Sequence, residues 1–129
     1  MRAGGVEMKG VYYISSALDI RNTVKSVVDE LSESVCEECA FSVRLVLNEL
    51  LANSVLYANA NKTVLKCETV KGELVCVISD DGEWYSCKEI SCSSANNIHG
   101  RGIYLAKCYS DYLIYDDDEH AVCFKIKLK

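Results

Sequence analysis

The stretch LVLNELLANSVLYAN, residues 45 to 59, sets Asn48, Glu49 and Asn53 in a run otherwise built mainly from Leu, Val and Ala. Glu49 and Asn53 are four residues apart, so on a helix they share one face, one above the other. A polar group left without a partner in apolar surroundings costs on the order of 2–7 kcal/mol. Either the pair belongs to a polar stripe facing water, or it lines a place where something bonds to it. Two further clusters could carry chemistry. Asp80-Asp81-Gly82 closes an apolar run, and an Asp ahead of a Gly is in itself an ordinary turn signal. Gly100-Arg101-Gly102 stands at the start of a helical pattern. Such a pair is often a plain turn, but it also leaves backbone N–H groups open at the positive end of a helix, which suits a phosphate. A side chain at either glycine would hold that phosphate away from the backbone. Cys36-Glu-Glu-Cys39 has the spacing of a zinc or redox half-site, yet no second such pair follows and His99 and His120 are distant in sequence, so a metal centre is not expected.

A chain of 129 residues can bury a respectable core as one domain spanning 1–129. Its net charge is −5, which argues against a surface that tracks nucleic acid and leaves room only for a local anion site. No apolar run approaches the length of a membrane span, and MRAGGVEMKG mixes small, charged and apolar residues instead of forming a leader. No membrane association is therefore expected, and the expected location is cytoplasmic. Eight cysteines raise the question of a disulfide scaffold. Cys67, Cys76, Cys108 and Cys123 fall in periodic apolar segments, however, where a thiol behaves as a small buried hydrophobe. For Cys87 and Cys92 the sequence leaves a loop disulfide and thiol chemistry both open.

The elements that must position these residues are read from periodicity. There are no prolines. GVYYIS (10 to 15) is a short β-rich run, and SALDIRNTVKSVVDEL follows with Ala17 or Leu18, Ile20, Val24, Val27, Val28 and Leu31 at helical spacing. Ser16 with Asp19 gives a capping signal, and Ser34-Val-Cys-Glu37 a cleaner one that opens a long helix over about 35–58. KTVLKCETV, Lys71-Gly72 and ELVCVISDDG predict two strands joined by a tight turn. Residues 79 to 102 break the periodicity and predict a long functional loop. RGIYLAKCYSDYL resumes helical spacing, and YLIYDDDEHAVCFKIKL predicts a closing hairpin with a solvated acidic turn, Asp116 to Glu119. Strand, helix, helix, strand, strand, loop, helix, strand, strand describes an α+β two-layer sandwich, with a mixed or antiparallel sheet and helices on one face.

In this order and spacing, NELLANSVLYAN, VISDDGEW and HGRGIYLAK resemble the N box and the two glycine boxes of the GHKL superfamily of ATP-binding domains. In size and layout the chain is most similar to the stand-alone serine kinases that act as anti-sigma factors, and to the catalytic domains of sensor histidine kinases. The resemblance runs from the first strand to the last, and the Glu-x-x-x-Asn pair is its most specific part. It implies ATP and Mg²⁺ as cofactors. Asn53 matches the Mg²⁺ ligand, Glu49 the general base, and Asp80 the carboxylate that accepts a hydrogen bond from the adenine amino group. Gly82 matches the position where the chain turns close to the base. Gly100 and Gly102 match the glycines that frame the phosphates, with Arg101 or His99 as further contacts, and residues 84 to 99 match the lid.

The chain departs from the pattern at three places. Trp84 stands where the first glycine box ends in Gly, Tyr57-Ala58 where the anti-sigma kinases carry His-Gly, and Glu119-His120-Ala121 where a Gly-Thr pair helps hold adenine. The expected function is ATP-dependent transfer of the γ-phosphoryl group to a Ser or Thr of a partner regulatory protein. The expected partner is a sigma factor or an anti-anti-sigma-like protein, with a homodimer formed through the first strand and helix. No phosphoacceptor motif such as His-Glu precedes the boxes, so histidine autokinase activity is not expected. The competing expectation is a degenerate GHKL module that acts by protein binding without catalysis; the departures favour it.

Overall fold

A computed structural model describes residues 8–31, 34–57, 61–81, 98–116 and 120–128. The elements run β1 (Lys9–Ile14), α1 (Ala17–Leu31), α2 (Glu37–Ala52), a single π-helical turn (Asn53–Tyr57), β2 (Thr63–Val70), β3 (Glu73–Asp80), α3 (Ile98–Tyr109), β4 (Tyr112–Asp116) and β5 (Ala121–Lys127). The strands form one sheet in the order β1-β2-β3-β5-β4. Every neighbouring pair is antiparallel, which resolves the expected mixed or antiparallel sheet in favour of the second.

Alternation along the strands decides which face is dry. Leu65 and Cys67 of β2, Leu74, Cys76 and Ile78 of β3, and Val122, Phe124 and Ile126 of β5 are buried, whereas Lys66 and Glu68 are exposed. The helices supply the other half of the core through Ile20, Val24, Val27, Val28 and Leu31 of α1 and Val43, Val46, Leu47, Leu50 and Leu51 of α2. Leu18 does not belong to it: the side chain is exposed, and Thr23 fills the buried stripe instead. α2 packs against both α1 and α3, which explains why its apolar residues spread beyond one narrow stripe.

Two helix starts show how local chemistry sets the boundaries. At α1 the expected cap forms: Ser16 Oγ accepts from the Asp19 N–H at 3.1 Å, while the Asp19 carboxylate accepts from the Ser15 N–H at 3.0 Å. That backbone bond from Ser15 is the main reason the Asp19 carboxyl is held below the usual carboxylate range. At α2 the expected Ser34–Glu37 box is replaced. The Ser34 N–H closes a turn onto the Leu31 carbonyl at 2.9 Å, and the helix begins later, with Cys36 as its N-cap and Cys36 Sγ accepting from the Cys39 N–H at 3.4 Å. The predicted 35–58 helix also changes type at its far end, where the π-helical turn takes over. Cys108, expected in the core, is exposed on α3, while Cys67 and Cys76 are buried as predicted and Cys123 is half-buried.

β2 and β3 pair from Thr63↔Asp80 to Val70↔Glu73, closed by Lys71 and Gly72, both at positive φ (49° and 80°). This is the two-residue turn whose twist matches the strands. No heavy atom lies within 4 Å of a Cβ added to Gly72, so the cost of a side chain there is conformational and not steric. Gly72→Ala is expected to destabilise the fold by about 1 kcal/mol, read as a lower urea midpoint at unchanged slope.

Candidate functional site

The inward alternation Leu74, Cys76, Ile78 does not stop at the edge of the core. It carries Asp80 onto the same helix-facing side, half-buried, opposite Thr63 of β2. There the carboxylate meets the π-helical turn: Ser54 Oγ donates to Asp80 Oδ2 at 2.5 Å and lies 2.7 Å from Thr63 Oγ1. Ser54 and Thr63 are each only 2 % exposed, so both hydroxyls must be satisfied within the protein. With the Ser54 proton donated to the carboxylate, Thr63 supplies the proton of the second bond. The Asp80 N–H donates to the His120 carbonyl at 3.1 Å, and His120 has φ 49°. The start of β2, the end of β3, the residue before β5 and the end of α2 thus converge at one pole of the molecule.

Asn53 is the residue at which α2 passes into the π turn. Its N–H is shared between the carbonyls of Glu49 and Leu50. It immediately precedes Ser54, so the hydroxyl–carboxylate bond fixes Asp80 beside the same helix end. Single π turns in α-helices are frequent at functional sites, where they re-aim side chains. Glu49, one turn earlier, is half-buried and lines a cleft of about 670 Å³ between α1 and α2, together with Asn48, Arg21, Lys25 and Arg44. Lys25 pairs with Asp29 across one helical turn at 2.8 Å. The polar face of α2 therefore borders a concave surface. That cleft is lined by Glu49 but by neither Asn53 nor Asp80.

The neighbouring Asp81 has a different task from Asp80. Its Oδ1 accepts from the N–H groups of Asn61 at 2.8 Å and Lys62 at 3.0 Å, fixing the entry to β2. The Lys62 backbone bond leads the causes that hold this exposed carboxyl below the ordinary 3.8. Gly100, Arg101 and Gly102 fall inside the opening of α3, which begins at Ile98 and not after the glycines. By helical geometry the Gly100 N–H belongs to the first-turn group without an intrahelical acceptor, whereas the Gly102 N–H lies one turn in. Gly82, Trp84, Cys87, Cys92, Glu119 and nearly all of the expected lid lie outside the described residues.

Sequence reasoning singled out neither Ser54 nor Thr63. The available signals were a small hydroxyl directly after Asn53 in an apolar helix, and a hydroxyl in the strand register opposite Asp80.

Residues 15–126 match the family model of the histidine kinase-like ATPase domain, and the chain belongs to that family. Over 82 residues it is 28% identical to the sensor protein BceS of Halalkalibacterium halodurans, an alignment that covers 55% of this chain and 25% of that relative. Domains of this family bind ATP, typically with Mg²⁺. The residues present fit such a ligand: an inward carboxylate oriented by a buried hydroxyl, and an amide side chain at the adjoining helix junction. Among the described residues, no helix is long and apolar enough to cross a membrane.

Two outcomes follow from these bonds. Ser54→Ala leaves the Thr63 hydroxyl and the Asp80 carboxylate without their shared partner and is expected to cost about 1–3 kcal/mol in chemical denaturation. Asp81 tests the acid side. Because its folded value lies below the ordinary 3.8, its contribution is complete above about pH 5 and fades as the pH falls through the folded value. Asp81→Asn should therefore lower the urea midpoint at pH 7 more than at pH 3.

Proposed function

We propose that the protein is an ATP-dependent regulatory kinase of the anti-sigma type, which passes the γ-phosphoryl group of ATP to a Ser or Thr hydroxyl of a partner regulatory protein. The observation that carries this reading is the Ser54–Asp80 bond, which joins the helix end bearing Asn53 to the strand end bearing the inward carboxylate. Asp80 accepts from the adenine amino group and so selects adenine over guanine, which carries an acceptor at that place. Asn53 holds the metal through its amide oxygen, which suits a hard cation. Mg²⁺, when bound, supplies charge neutralisation on the triphosphate. Glu49 takes the proton from the attacking hydroxyl, and the α1–α2 cleft beside it admits the partner segment that carries this hydroxyl. Gly100 and Gly102, with Arg101 and the stretch around Gly82, hold the phosphates and the base. Exposed Val11, Tyr13 and Leu18 support a partner or homodimer face on β1 and α1. The cytoplasm fits a kinase of this type.

One observation favours the second reading, a module that signals by docking without catalysis. His120, at a φ that suits glycine, stands beside Asp80 where the resemblance calls for a Gly-Thr pair.

Calorimetric titration with ATP, ADP and GTP, each with and without Mg²⁺, separates the readings. The kinase reading expects heat for adenine nucleotides alone, increased by the metal. Glu49→Ala should then lower phosphoryl transfer to the partner about 10²–10⁴-fold, the usual worth of a positioned acid–base group, while nucleotide is still held. A flat trace under every condition overturns the kinase reading.

A further inference from the structure

At the pole opposite Asp80, three thiols line one cleft. A depression of about 350 Å³ is formed by Cys36 and Cys39 at the start of α2, Cys108 and Tyr109 at the end of α3, and Ile126 and Lys127 of β5. Two contacts that involve none of the three sulfurs help to fix its walls: Phe41 and Tyr109 meet edge to face with centroids 5.8 Å apart, and the Lys127 N–H donates to Asp111 Oδ2 at 2.7 Å.

Within this cleft Cys36 and Cys39 are not equivalent. Cys36 is exposed and occupies the N-cap of α2, with its sulfur accepting from the Cys39 N–H at 3.4 Å. Cys39, in the first turn of the helix, is half-buried, and its thiol donates to the Lys127 carbonyl at 3.5 Å. A sulfur that accepts from amides at the positive end of a helix is stabilised as thiolate, and the thiolate is the nucleophile. The Cys39 backbone bond accordingly leads the causes that hold the Cys36 thiol below its ordinary value, against the opposing charge of Glu38. A sulfur that donates to a carbonyl is instead kept as a thiol. Another pair among the described residues contrasts with this one: Cys67 and Cys76 face each other across β2 and β3, with Cys76 Sγ donating to Cys67 Sγ at 3.2 Å, but both are buried in the core.

We propose that Cys36 and Cys39 form a dithiol–disulfide exchange site for low-molecular-weight disulfides, with Cys36 the attacking and Cys39 the resolving sulfur. The Cys36 thiolate attacks one sulfur of the disulfide RSSR, forming a Cys36–S–S–R bond and releasing RS⁻, which takes up a proton. Cys39 then gives up its proton, and its thiolate attacks Cys36 Sγ. This forms the Cys36–Cys39 bond and releases the second RS⁻, again protonated. Two protein thiols are oxidised, one disulfide is reduced to two thiols, and two protons move from protein to leaving groups. Cys108 opens onto the same cleft but sits at no helix N-terminus, so it is a bystander.

The test is equilibration of the whole protein with oxidised glutathione, acid trapping, alkylation and peptide mapping by mass spectrometry. Wild type is expected to give the Cys36–Cys39 disulfide, and Cys39→Ser the mixed disulfide on Cys36. In Cys36→Ser, adduct formation at Cys39 should be at least about tenfold slower, because its half-buried sulfur donates to a backbone carbonyl where Cys36 accepts from a helix-end amide. Ser is itself a favoured N-cap, so the helix start survives this change. The proposal is overturned if Cys36 remains fully alkylatable, if Cys108 reacts as fast as Cys36 in Cys39→Ser, or if Cys39 reacts in Cys36→Ser at the wild-type rate of the pair.

Discussion

Asp80 is held to Ser54 by a short hydrogen bond at an edge of the core where helix layer and sheet meet through polar atoms. The core between the layers, from Leu47 and Leu51 above to Leu65, Leu74 and Phe124 below, is built from apolar residues. Apolar contact is non-directional and tolerates small sliding of one layer on the other. A hydrogen bond to a carboxylate does not; such bonds are worth about 1.5–3 kcal/mol and have a narrow geometry. The Thr63–Ser54–Asp80 chain thus sets where the end of α2 stands relative to the end of β3, and with it the placing of Asn53 against Asp80.

α2 connects two chemically distinct poles. Its N-terminus gathers Cys36, Cys39 and, from α3, Cys108; its C-terminus passes through Glu49 and Asn53 into the π-helical turn. The middle is locked by α1 on one side and α3 on the other. Anion-stabilising amides point out at the first pole. At the second, Glu49 and Asn53 lead along the helix to the strand end, so the proposed nucleotide site and the proposed thiol site lie at different ends of α2.

Much of this was legible in the sequence because period and turn chemistry leave little choice. The alternation through Leu74, Cys76 and Ile78 fixes which way Asp80 faces, and Lys71-Gly72 between two β-rich runs fixes the hairpin register. The four-residue spacing of Glu49 and Asn53 survives because α2 stays α-helical up to Ala52. Other features escaped for physical reasons. A π turn conserves the helical look of the sequence, so its onset at Asn53 carries no period signal. Capping rules favour hydroxyls and carboxylates, so they point to Ser34 and give no signal for a thiol cap at Cys36. Cys108, and Leu18 as the alternative to Ala17, read as core positions by apolar periodicity, but each is exposed on a helix whose inner side is filled by residues such as Ala106 and Thr23 respectively.

In the proposed kinase the Asn53 amide, next to the Ser54–Asp80 link, holds the metal of a bound adenine nucleotide. Paramagnetic broadening tests it directly, by adding Mn²⁺ with a non-hydrolysable ATP analogue to ¹⁵N-labelled protein. The side-chain amide signals of Asn53 are expected to vanish first and those near Ser54 to follow, while the amides around Cys36 at the far pole keep their intensity. Broadening centred elsewhere, or spread evenly over both poles, contradicts it.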